Sequence, residues 1–255
     1  MKFPKINISP KIYLIAGAVF VVALSIYFIN NAVYRSVKRV RVSINNEYEN
    51  YFIDEKEILS LVTLNDTDPV VGKYLDEVDL RELEKRAKDC PYIESVQAYK
   101  NHSGVILLEV NQVNPLARIY HHGLGDKYLL SNGKLISVSS RYTTRSLVVR
   151  GDYTFKFSDS LYKQSQEWSD YLAFFTKIKD DKVWSAQVSE MKISKEGNIT
   201  LFPQIGDYTI YFGKPDDLEF KFKKLAVFFK DILPLKGWDA YQEVNVQYKD
   251  QIVCD

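Results

Sequence analysis

The chain has 255 residues, with 34 Lys and Arg against 33 Asp and Glu for a net charge of +1. Such a balance argues against nucleic acid as a partner, because no cationic excess is present to neutralise phosphates. Hydrophobic residues make up 46% and only 11 Gly and 8 Pro interrupt them, so disorder and collagen-like structure are excluded. The 18 Tyr and 14 Phe favour β-rich packing, and two cysteines, Cys90 and Cys254, are too few for a disulfide framework.

Near the start, Ile12 to Ile29 (IYLIAGAVFVVALSIYFI) carries no charge. As a helix it would be about 27 Å long, close to the hydrocarbon thickness of a bilayer, and it predicts a transmembrane helix over residues 12–30 after a short tail of residues 1–11. Tyr13 and Tyr27 lie near its ends, where amphipathic rings favour the headgroup level. The alternative is a cleaved signal peptide with Lys2, Lys5 and Lys11 as its charged start. Against it, the apolar run is long and no small-x-small cleavage site follows. Cations flank both ends, with Arg35, Lys38, Arg39 and Arg41 beyond the span, so charge alone does not orient it.

The next segment, residues 38–113, predicts a β-α-α-β-β domain. Val40, Val42 and Ile44 alternate with polar residues as in a strand with one wet face. Asp54 caps a helix carrying Ile58, Leu59 and Val62, and Asp79 caps another carrying Leu80, Leu83 and Ala87, which stops before Pro91. Ile93 to Tyr99 and Val105 to Val110 form a hairpin around Asn101-His102-Ser103-Gly104.

From residue 114 to 255 the pattern predicts a mainly antiparallel β-domain with two helices, so the fold class is α+β. Short runs at Ala117 to Tyr120, Lys127 to Leu130, Leu135 to Val138 and Ser146 to Val149 read as a meander punctuated by Gly123, Gly125, Gly133 and Gly151. Leu161, Trp168, Leu172, Phe175 and Ile178 recur at helical spacing. Three more strands follow, at Val188 to Ile193, Asn198 to Phe202 and Tyr208 to Phe212. Pro215-Asp216-Asp217 opens a helix striped by Leu218, Phe222, Leu225, Phe229 and Ile232, and Glu243 to Val253 is one last strand.

No catalytic constellation emerges: there is no G-x-S-x-G, H-E-x-x-H, P-loop or dinucleotide fingerprint, and no cofactor is implied. His121 and His122 are adjacent, so on a strand they point to opposite faces, and only His102 could join them at a metal. Asp66 and Asp68 sit in an ordinary polar loop, and Gly123-Leu124-Gly125 is followed by no helix that would hold an anion.

The last strand is the feature that asks for a partner. A strand closing a sheet exposes unpaired N–H and C=O groups that a second chain can extend. The pattern alone leaves open whether this edge docks a partner or is blunted by Lys249 and Asp250.

Several segments, in this order, resemble the FtsQ/DivIB cell-division family. Val78-Asp79-Leu80-Arg81-Glu82-Leu83 through Cys90-Pro91-Tyr92-Ile93-Glu94-Ser95-Val96 is similar to the family's second POTRA helix and following strand. Leu108-Glu109-Val110 through Asn114-Pro115-Leu116-Ala117 resembles its domain junction. Tyr128-Leu129-Leu130-Ser131-Asn132-Gly133-Lys134 resembles its first β-domain hairpin, and Ile210-Tyr211-Phe212-Gly213-Lys214 its strand-to-helix step. The final strand departs from the family: Asn245-Val246-Gln247-Tyr248 stands where Asp-aliphatic-Arg-aromatic is usual.

The resemblance implies a non-enzymatic, single-pass inner-membrane scaffold at the division septum, with its C-terminal domain outside the cytoplasm. It implies binding to FtsB- and FtsL-like membrane division proteins and a part in controlling septal peptidoglycan synthesis. By strand addition the contacts would come from Val244, Val246, Tyr248, Lys249, Ile252 and Val253, with Ile93 and Val96 on a POTRA edge as a second docking place. A POTRA-bearing envelope chaperone or secretion adaptor and a membrane-anchored envelope enzyme are the rival readings.

Overall fold

The computed structural model describes residues 10–33, 36–45, 50–101, 103–120 and 125–255. His102, His121, His122, Gly123, Leu124 and residues 1–9 of the expected tail lie outside the described residues. Helix α1 runs over Pro10–Val33, 24 residues, and the large apolar side chains described along it, such as Leu14, Phe20 and Phe28, are exposed. Among the described residues no helix is long and apolar enough to cross a membrane. The unbroken run of described side chains in α1 covers only 13–28.

Two compact units follow from the chain path, one taking Met1–Glu47 with Ile53–Gln112 and the other Tyr48–Phe52 with Val113–Asp255. The first contains β1 (Arg39–Asn45), α2 (Glu55–Val62), α3 (Leu80–Lys88), β2 (Ile93–Lys100) and β3 (Val105–Gln112). Asp54 starts α2 with a reciprocal cap: its carboxylate accepts from Glu57 N at 2.9 Å, while the Glu57 carboxylate accepts from Asp54 N at 3.1 Å. Asp79 caps α3 by accepting from Arg81 N at 2.9 Å. Strand β3 lies in the middle of the order β1-β3-β2, parallel to β1 and antiparallel to β2. Its alternate residues Ile106, Leu108 and Val110 are buried against Ile58, Val62, Leu83 and Ala87 of the two helices. Both β1 and β2 are therefore edges of this three-stranded sheet.

The second unit is built on a nine-stranded sheet of order β12-β11-β10-β9-β8-β7-β4-β5-β6. Its strands are β4 (Ala117–Ile119), β5 (Lys127–Leu129), β6 (Leu135–Ser137), β7 (Leu147–Arg150), β8 (Val188–Ile193), β9 (Ile199–Pro203), β10 (Thr209–Gly213), β11 (Glu243–Asn245) and β12 (Val253–Cys254). Helices α4 (Gln166–Asp180), α5 (Lys182–Gln187), α6 (Leu218–Val227) and α7 (Leu233–Lys236) complete it, with a π-helical turn Phe228–Ile232 joining the last two. Phe157, Phe174, Phe175, Phe212 and Phe228 are fully buried in its core.

Three expectations need correction here. Among the described residues the β-domain carries four α-helices rather than two; its sheet is mainly antiparallel, with β4 and β7, β7 and β8, and β10 and β11 paired in parallel. Parallel neighbours require long connections: α4 with α5 link β7 to β8, α6 with α7 link β10 to β11, and the β5–β6 hairpin lies between β4 and β7. Leu161, assigned by spacing to the helical stripe, precedes α4 and is exposed. The last strand is not continuous: β11 and β12 are separate and antiparallel, with Val244 opposite Cys254 and Asn245 opposite Val253.

Crowding at one glycine shows how closely β7 and β8 approach. Gly151, at φ 115°, sits where an added Cβ would lie 2.1 Å from the carbonyl oxygen of Ile193. No other residue tolerates both the conformation and the contact.

Candidate partner-binding edge

The C-terminal segment turns back because Asp250 adopts a left-handed conformation, φ 60°, in the turn between the two short strands. Asp is among the few residues that accept it at small cost. The reversal lays β12 alongside β11, and backbone bonds from Gln242 N and Glu243 N to the carbonyl oxygen of Asp255 continue the pairing, at 2.6 and 3.1 Å. Strand β11 is thus enclosed by β10 and β12, and β12 is the edge on this side of the sheet.

This placement divides the residues expected at the docking strand. Val244 and Val246 are 0% exposed and belong to the hydrophobic core with Ile210, Phe228 and Leu233. Ile252 is half-buried against the same core. Tyr248, at 51% exposure, Val253, at 44%, and Lys249 face solvent. In the first unit Ile93 is buried and Val96 half-buried on β2, whose outer side is an edge of the small sheet.

A side chain of α6 and the backbone of β10 hold the segment between the two strands, the latter through a bond from Val246 N to Tyr211 O at 3.1 Å. The Lys224 ammonium donates to the carbonyl oxygens of Val246 and of Tyr248, the latter at 2.6 Å, and lies over the ring of Phe220 at 5.4 Å. Burial, then repulsion from Lys221, pushes the Lys224 pKa below its ordinary value, and Asp250 opposes that shift. Gln247 covers Gly213 so closely that a Cβ there would meet its Cγ at 2.8 Å. Phe220 and Val227, on the outward side of α6, are exposed. The apolar stripe from Leu218 to Ile232 does not single out Lys224, because the bonds it makes span 22 and 24 residues and leave no local pattern.

Nothing in this arrangement assembles a metal centre. Among the described residues no group of three or more His, Cys, Asp and Glu is placed to hold an ion. The tyrosines clustered in the second unit are packed rather than poised. Burial, with a hydrogen bond to Glu167, pushes Tyr153 up to about 12, and burial pushes Tyr171 up while its hydroxyl donates to Gly197 O at 2.7 Å.

A small βααββ unit joined to a second unit whose mixed sheet presents a short strand at its edge defines a two-domain protein of the POTRA-plus-β class. Comparison with family models agrees: one described as a POTRA-like domain matches residues 35–111, and one described as FtsQ/DivIB, C-terminal related, matches residues 114–255. The second match covers more than half of the chain, and the chain belongs to the FtsQ/DivIB-related family. Its domains are those of cell-division proteins. No curated protein matches the chain.

Proposed function

We propose that this chain is a non-enzymatic membrane scaffold of the bacterial division machinery. It binds FtsB- or FtsL-like membrane division proteins by strand addition and so helps regulate septal peptidoglycan synthesis. The observation that carries this reading is the edge strand β12, which has no strand on its outer side among the described residues, carries the exposed Val253 and is preceded by the exposed Tyr248. A partner strand laid there would gain main-chain hydrogen bonds, while the ring of Tyr248 supplies the large, polar-tipped contact typical of interface hot spots. Because β12 has only two residues, side chains must provide much of the affinity, and the exposed Phe220 and Val227 of α6 supply further apolar surface.

Membrane anchoring rests on α1. Its full 24 residues amount to about 36 Å of helix, enough for a hydrocarbon core of about 30 Å, and its described large apolar side chains are exposed. In this reading residues 12–30 span the inner membrane at the septum, residues 1–11 stay in the cytoplasm, and residues 38–113 and 114–255 lie outside it. The edge of β2, with half-buried Val96, is the second docking place.

Photo-crosslinking in dividing cells tests the proposal. A crosslinking residue at Tyr248 or Val253 is expected to capture a small membrane division protein, and one at Ser137 on the opposite edge strand β6 is not. Equal capture at both edges, or none at 248 and 253, would overturn it. Labelling of Cys254 by a membrane-impermeant maleimide on spheroplasts, with denatured protein as the control for its partial burial, checks the orientation.

A further inference from the structure

Strands β4, β7 and β8 are mutually parallel, so their first residues meet at one end of the large sheet, where α4 also finishes. A cavity of about 370 Å³ opens there. Leu116, Leu147, Ile178 and Val188 give it an apolar floor, and Arg145, Ser146 and Lys179 line it with donors. Neither the guanidinium of Arg145, which is exposed, nor the ammonium of Lys179 makes a side-chain hydrogen bond or a salt bridge among the described residues. Burial depresses the pKa of Lys179, and Asp180 opposes the shift, so its ammonium is partly stripped of water and only partly compensated. The Ser146 hydroxyl oxygen is buried with no hydrogen-bond partner among the described residues.

Nearby carboxylates meet this need only in part. Asp181 is spent on capping α5, where it accepts from Val183 N at 2.8 Å and Trp184 N at 3.3 Å, and Asp180 is exposed. Two cations and an unmatched hydroxyl over an apolar floor form a site for a negatively charged group with a hydrocarbon neighbour. We propose that this cavity binds a carboxylate attached to a small apolar group, as at the free C-terminal end of a short peptide. Lys179 and Arg145 pair with the carboxylate, Ser146 donates its hydroxyl proton, and the apolar floor takes the adjoining side chain. The site is separate from the β12 edge, and its occupation does not depend on the scaffold reading above.

The test uses the full chain in lipid nanodiscs, with empty nanodiscs as the blank, and ligand-observed saturation-transfer NMR. The probes are N-acetylalanine, its methyl ester and inorganic phosphate. Saturable binding of N-acetylalanine with Kd on the order of 1–10 mM, a range suited to so small a ligand, and none of the ester, is expected. Lys179→Met and Arg145→Gln should each weaken it by about tenfold or more, the usual loss for a charge-assisted bond. Ser146→Ala should weaken binding without lowering Tm, because it removes a buried hydroxyl that has no partner in the protein. Equal binding of acid and ester, tighter binding of phosphate than of N-acetylalanine, no saturable binding, or full affinity in both cation variants with an unchanged fold would each overturn the proposal.

Discussion

Lys224 and Tyr248 are joined across 24 residues by a 2.6 Å bond from the ammonium to the backbone carbonyl, and the same ammonium also reaches Val246. Helix α6 therefore sets the path of the segment that carries Tyr248 to the surface. Lys224→Met keeps the stem and removes both bonds. It should cost about 1–2 kcal/mol locally and speed hydrogen exchange at 246–250 while the amides of β9 and β10 stay protected. Unchanged exchange in that segment would show that Lys224 is not what holds it.

Tyr248 and Val246, two positions apart, should respond in opposite ways. Tyr248 is half exposed, so Tyr248→Ala is expected to leave the melting temperature nearly unchanged and to weaken capture of the division partner by about 2 kcal/mol or more. Val246 is fully buried, and Val246→Ala should destabilise the second unit by roughly 2 kcal/mol through the cavity it leaves, with partner affinity intact under conditions where the unit stays folded. Thermal denaturation paired with a binding isotherm for each variant separates the two roles.

That division of labour marks the limit of what alternation reveals. The run from Glu243 to Val253 reads as a strand, and β11 lies inside it while β12 begins at its last residue. What alternation could not supply was the reversal at Asp250, since a left-handed residue within an otherwise uniform run carries no periodic signal. Capped helices were legible for the opposite reason: Asp54 and Asp79 act within three residues of themselves. The parallel pairings of β7 with β4 and β8 were hidden because their partners are brought together by whole helices and hairpins. Lys224 and the cavity at the start of β7 belong to the same class of long-range feature.

Gly151 gives a stability test of the β7–β8 contact. Its φ of 115° is strained for any other residue, and a Cβ would sit 2.1 Å from Ile193 O, inside any permitted contact. Gly151→Ala should therefore cost at least about 2–3 kcal/mol, the sum of backbone strain and a displaced strand. Urea denaturation followed through the tryptophans Trp168 and Trp184, both in the second unit, should show a lowered midpoint. A midpoint equal to wild type would mean that the two strands do not meet as described.

Acid should loosen the POTRA-like unit through Asp68. Its carboxylate accepts from Lys73 and, at 2.8 Å, from Arg86, which also bonds the carbonyl of Val62 at 3.0 Å and Glu82 at 3.1 Å. The hydrogen bond from Lys73, then that from Arg86, holds the Asp68 pKa below its ordinary value in the folded state. A folded pKa beneath the unfolded one means that the unfolded chain takes up the proton first. The contribution is therefore complete above about pH 4, the ordinary range of an aspartate, and fades as pH falls through the depressed folded value. Asp68→Asn removes the titrating group and should flatten the stability profile of this unit below about pH 4 while lowering its stability at neutral pH. Because the pair is partly exposed, added salt should shrink the difference between wild type and variant. Hydrogen exchange at the α2 and α3 amides, measured across that pH range, reads the effect in this unit alone, and profiles of equal slope for the two proteins would remove Asp68 as its cause.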